Sequence, residues 1–64
     1  MRNPDRIEPF LEKLGKIWKG QCPDWRFGQF LINVFGTLPY DIYYWEDEKI
    51  MKHIENYFNL KEDN

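Results

Sequence analysis

Twelve of the 64 residues are Phe, Tyr or Trp, and in so short a chain those rings decide what can fold. A single domain of this length buries only about 60% of the surface its unfolded chain exposes, which makes an aliphatic core marginal. Each buried ring withdraws roughly 150–250 Å² from water, so the rings must supply most of the core. Aromatic richness also separates the chain from disordered sequences, which lack such residues. The length excludes doubly wound sheets, barrel enzymes and folds that close two lobes on a substrate. One domain spanning 1–64 is expected.

Hydrophobic periodicity predicts three helices, at about 4–19, 24–35 and 46–60. In the first, Ile7, Phe10, Leu11, Leu14, Ile17 and Trp18 fall within one arc of about 120° at helical spacing. Asn3 before Pro4 is a good start, one capping and the other suiting the first helical position. Pro9 lacks an N–H and disfavours helix at Glu8, so an early start with a local distortion is expected. Gly20 ends this helix. In the second, Asp24 reads as the N-cap and Gly36 as a left-handed C-terminal residue. Phe27, Phe30, Leu31, Val34 and Phe35 cover one side, with Trp25 and Ile32 on another. A helix apolar on most sides is a central one, and Gly28 within it points to close approach by another helix or ring. In the third, Ile50, Met51, Ile54, Tyr57 and Phe58 form the apolar stripe. Glu46, Asp47 and Glu48 sit where the helix dipole favours negative charge. Lys61 lies near its far end, and Glu62 to Asn64 read as a frayed tail.

Between the second and third helices lies Thr37-Leu38-Pro39-Tyr40-Asp41-Ile42-Tyr43-Tyr44-Trp45. β-branched and aromatic residues favour extended backbone, but a lone strand has nothing in this chain to pair with. The segment reads as an irregular aromatic-rich connector, open to pairing with a partner's strand or with itself in a dimer. The expected architecture is a compact all-α three-helix domain.

Charge narrows the functions. The chain holds 9 basic and 11 acidic residues, a net charge of -2. Residues 1–32 balance at +2 (6 basic, 4 acidic) and residues 33–64 at -4 (3 basic, 7 acidic), so the C-terminal half is the better dock for a basic partner. Cys22 is the only cysteine, which excludes an intramolecular disulfide and a Cys-rich metal site. With no stretch reading as a signal peptide, this points to the cytoplasm. No apolar run approaches the roughly 20 residues that span a bilayer, so no membrane contact is expected.

Little in the chain promises catalysis. The glycines have none of the spacings that cradle phosphate. A Cys22–His53 pair is far less expected than a partly buried turn cysteine and a histidine on the rim of the third helix. His53 has poor ligand neighbours, and Asp41, Glu46, Asp47 and Glu48 lack calcium-loop spacing. No metal, no cofactor and no enzymatic activity are expected.

Three constellations remain. Arg26, Gln29 and Asn33 form a polar stripe of residue types that read base edges. With Lys13, Lys16 and Lys19 they make a small nucleic-acid-binding regulator the alternative reading. The acidic balance favours instead a structural polar network, in which Arg26 pairs with Asp41 or Asp47 while Gln29 and Asn33 bond connector backbone. The preferred contact surface is Tyr40, Asp41, Tyr43, Tyr44, Trp45, Glu46, Asp47 and Glu48. Tyr and Trp dominate interaction hot spots, and alternation along an extended chain leaves some of these rings outside. The competing reading has them roof the core.

Trp18, Pro23-Asp24, Arg26-Phe27-Gly28-Gln29-Phe30-Leu31, Asn33 and Tyr43-Tyr44-Trp45-Glu46-Asp47-Glu48 resemble a family of small uncharacterised proteins of Gram-positive bacteria and their phages. More distantly, Trp18, Pro23-Asp24, Gln29-Phe30-Leu31 and the Asp47-to-His53 stretch resemble the YihD-like family. Neither family carries an established activity to transfer. The resemblance implies that Arg26, Gln29 and Asp47 share a structural or binding feature, and Cys22 is not part of its pattern. The expected function is a non-enzymatic protein–protein interaction module, monomeric or dimeric, binding a protein with a basic surface. A phage-borne inhibitor of a host defence complex fits the size, the charge and the resemblance.

Overall fold

A computed structural model describes residues 2–60, and the tail expected to fray lies outside them. The order is a 3-10 turn at Pro4–Arg6, α1 at Ile7–Gln21, α2 at Phe27–Phe35 and α3 at Asp47–Tyr57. There is no strand among the described residues. The three-helix architecture with an irregular connector is as expected.

The start of α1 shows how Pro9 is accommodated. The Asn3 side chain accepts from the Asp5 N–H at 2.9 Å, and the chain winds first as 3-10 and then as α. Pro9 falls in the first turn of α1, where an N–H has no intrahelical partner to lose. The far end of α1 is fastened by its own tryptophan. Trp18 Nε1–H donates to the carbonyl of Trp25 at 2.9 Å, and Trp25 N–H closes a turn onto the Cys22 carbonyl at 3.0 Å.

That turn corrects the expected start of α2. Residues 22–25 are consumed in it, so Asp24 does not cap, and the helix begins at Phe27 with Arg26 extended before it. The Gln29 side chain reaches back to accept from the Arg26 N–H at 2.8 Å.

The core consists of Ile17, Cys22, Phe30, Val34, Met51 and Ile54, with Phe10, Leu14, Trp18, Trp25, Phe35, Ile50, Phe58 and Leu60 packed against it. Phe30 is wholly enclosed. It meets Trp18, Trp25, Phe27 and Phe58 at ring-centroid distances of 5.8–6.5 Å. One ring thereby joins α1, the first connection, α2 and the end of α3.

Three expectations about α2 are overturned. It is not central: Phe27, Leu31 and Ile32 are 45%, 41% and 69% exposed, because two neighbouring helices can cover only one side of it. Gly28 is not approached, since a Cβ there would meet nothing within 4 Å. Gly36 is not left-handed, with φ of -68°. It is nonetheless required, because a Cβ would run into the Ile32 carbonyl oxygen.

The third helix is shorter than 46–60 because it closes on a Schellman motif. Asn59 takes a positive φ of 58°, Asn59 N–H bonds the Asn56 carbonyl at 3.1 Å, and Leu60 N–H bonds the Glu55 carbonyl at 2.8 Å. These satisfy carbonyls that the helix end leaves open, and Leu60 folds back onto the core.

Candidate functional site

The connector is neither a strand nor a roof. Asp41 Oδ1 accepts from the Tyr43 N–H at 2.9 Å, and Trp45 N–H closes onto the Ile42 carbonyl at 3.0 Å. Aspartate side chains commonly begin a turn in this way. Tyr43 and Tyr44 therefore occupy the two central positions of a tight turn, where side chains project from the surface. They are 76% and 86% exposed, and their rings meet edge-to-face with centroids 4.7 Å apart.

Trp45 behaves oppositely. It is half-buried and meets the His53 ring at 5.9 Å. Tyr40 packs on it at 5.8 Å, and the Lys49 ammonium sits 4.6 Å from its ring centroid. His53 in turn stacks on Phe35 at 5.0 Å. Its Nε2 lies 2.7 Å from the Val34 carbonyl oxygen, and since a carbonyl only accepts, that nitrogen carries the proton. The histidine thus ties the end of α2 to α3 and supports the tryptophan that anchors the tyrosine turn. Sequence reasoning missed this role, because the spacing of His53 within its own helix says nothing of α2.

The acidic start of α3 is met by the chain's own arginines. Arg2 makes two bonds to the Glu46 carboxylate, at 2.6 and 3.0 Å, and holds Glu46 below the usual carboxylate range by hydrogen bonding and by charge. Arg6 Nε pairs with Asp47 Oδ2 at 2.8 Å. The expected partner of Asp47 was Arg26. Among the described residues Arg26 forms no ion pair, and Asp41 is engaged by Tyr43 N–H instead. Of the expected acidic contacts, among the described residues Asp41 engages one carboxylate oxygen only and Glu48 makes no ion pair. Both pairs line a groove of about 550 Å³ between the start of α1 and α3, floored by Pro9, Phe10 and Met51.

The polar stripe and the basic strip are both reduced. Arg26, Gln29 and Asn33 are exposed, and the expected network contracts to the single bond between Gln29 and the Arg26 backbone, within the helix rather than to the connector. Lys13 is turned toward α3, where its Nζ pairs with Glu55 Oε2 at 2.7 Å. Glu55 is a buried carboxylate that lay outside the predicted sites. Lys16 and Lys19 remain exposed.

Cys22 is enclosed in the apolar core, and burial pushes its thiol up from the ordinary value. A thiol held protonated is a poor nucleophile. Among the described residues no three of His, Cys, Asp and Glu gather as a metal would require. No helix among them is long and apolar enough to cross a membrane. Searches for similarity found no matching family model, no matching curated protein and no matching solved structure.

Proposed function

We propose that the chain is a binding module that acts by recognising another protein and not by catalysis. The observation that carries this reading is the pair of tyrosines held outward at the tip of an anchored turn. A domain that needs its rings for its core leaves these two largely in water, on backbone already fixed by Asp41 and Trp45. Tyrosine presents a large rigid surface with a polar tip and loses little entropy on binding, and a preformed turn lowers the ordering cost further. The partner offers an apolar pocket for these rings with basic residues at its edge, facing Asp41 and Glu48. Glu46 and Asp47 spend most of their charge on Arg2 and Arg6. The commitments of Cys22 to the core and His53 to the Val34 carbonyl support a non-catalytic role. A host defence complex is one partner class compatible with the resemblance to phage proteins.

Affinity capture on immobilised protein tests the reading. A protein retained by the wild type and lost by a folded Tyr43→Ala/Tyr44→Ala variant is the expected result. Equal retention by both refutes the turn as the contact site. Binding of labelled duplex or single-stranded nucleic acid at low salt, weakening steeply as salt rises, favours the basic residues Lys16, Lys19 and Arg26 in its place.

A further inference from the structure

We infer that residues 2–6 form a salt-released strap over the charged edge beside the tyrosine turn, by which the chain inhibits its own docking of a basic partner until the strap opens.

The strap is shaped from within. The Asn3 side chain accepts from the Asp5 N–H at 2.9 Å, and the Asn3 carbonyl accepts from the Arg6 N–H and from Arg6 Nη1, both at 3.2 Å. The resulting 3-10 turn sets Arg2 and Arg6 toward the start of α3, where they meet Glu46 and Asp47. Among the described residues these two pairs are the only bonds from the strap to α3. No side chain from Arg2 to Arg6 is buried or enters the core, and the four charged partners are 40–63% exposed. Exposed ion pairs are weak, and salt screens them. A segment held in this way opens locally well before the whole fold does.

Opening changes what a partner meets. Glu46 and Asp47 directly follow Trp45 and so continue the tyrosine turn into α3. With the strap closed, two guanidiniums stand against them and repel a basic partner. With it open, both carboxylates join Asp41 and Glu48, and the groove over Pro9, Phe10 and Met51 loses the wall made by Arg2, Asn3 and Arg6. The consequence for binding rests on the proposed function, whereas opening is a property of the free protein, so the two fail separately.

Opening is measured by NMR on the full chain, as the exchange of arginine Nε–H with water. Nε donates in both pairs. Sodium chloride is raised from about 10 mM to about 1 M, across which the screening length falls from roughly 30 to 3 Å. Arg26, without an ion pair among the described residues, corrects for the direct effect of salt. Relative to Arg26, Arg2 and Arg6 are expected to be protected about 5-fold at low salt and to lose that protection at high salt. Trp18 Nε1–H is expected to stay slow on the Trp25 carbonyl. Calorimetric titration with a tetra-arginine peptide at low salt then reads the docking edge. Arg2→Gln/Arg6→Gln, with folding verified by circular dichroism, is expected to bind it about 5-fold more tightly than the wild type, the scale of two exposed pairs. Lys16→Gln/Lys19→Gln removes the same charge away from the strap and is expected to leave binding nearly unchanged. Arginines never protected, protection that survives high salt, or a Trp18 N–H that loosens in step overturns the inference. So does no gain in the arginine variant, or an equal gain in the lysine variant.

Discussion

Adjacent rings in this chain have opposite fates, and the backbone rather than hydrophobicity separates them. Trp45 closes the turn and lies against His53, while Tyr43 and Tyr44 stand at its tip. The sequence marked the whole stretch as aromatic and weighed evenly whether some of its rings stand outside or all roof the core. It did not show which rings, because that depends on Asp41 accepting from Tyr43 N–H, a bond that replaces strand alternation with a turn. The buried Glu55 was equally hidden. Its position on α3 is unremarkable until Lys13 of α1 is seen 2.7 Å away. Removing one partner of a buried pair leaves an uncompensated charge. Lys13→Met is therefore expected to lower unfolding free energy by about 1–3 kcal/mol, discounted because the lysine is half-exposed. Glu55→Gln is expected to cost less. Urea unfolding of the two variants at neutral pH checks the order.

The helices themselves were legible from periodicity and their ends were not. Two glycines show why. Gly28 interrupts an apolar helix and pointed to internal crowding, yet its surroundings are open. Gly36 followed the last apolar residue and pointed to a left-handed cap, yet its backbone is right-handed and its constraint is the Ile32 carbonyl. The left-handed residue is Asn59, a type that tolerates that conformation and that no apolar pattern singles out. Spacing reports which face a residue occupies, but not how closely a neighbouring backbone approaches it. The two alanine variants are thus expected to diverge. Gly36→Ala destabilises α2 by about 1–3 kcal/mol, the scale of a steric conflict with no soft side chain to yield. Gly28→Ala stabilises the protein by about 1 kcal/mol. Thermal melts at low protein concentration measure both, and equal shifts would refute the distinction.

For the molecule as a whole, one enclosed ring, Phe30, links all three helices and the first connection. A domain of this size holds about 3–10 kcal/mol of stability, against the roughly 3–5 kcal/mol that one buried Phe represents when truncated. The N-terminal segment adds ion pairs to α3 that sequence separation concealed, since Arg2 and Glu46 are 44 residues apart. Their effect is pH-dependent with a definite sign. The folded-state value of Glu46 lies below its ordinary 4.5. Its stabilising contribution is therefore present above that ordinary value and is lost as pH falls through the folded one. Arg2→Ala is expected to move the Glu46 titration midpoint up toward 4.5, read from side-chain carboxyl chemical shifts. An unmoved midpoint would show that the pair does not form in solution.

On the proposed reading, fold and recognition draw on different rings of one small molecule. The dissociation constant of a captured partner, determined by calorimetric titration of wild type and Tyr43→Ala/Tyr44→Ala, separates the two. The expected result is a rise of about 30-fold or more, the range of hot-spot aromatics, with the thermal midpoint of the free protein unchanged. An unaltered constant would contradict it.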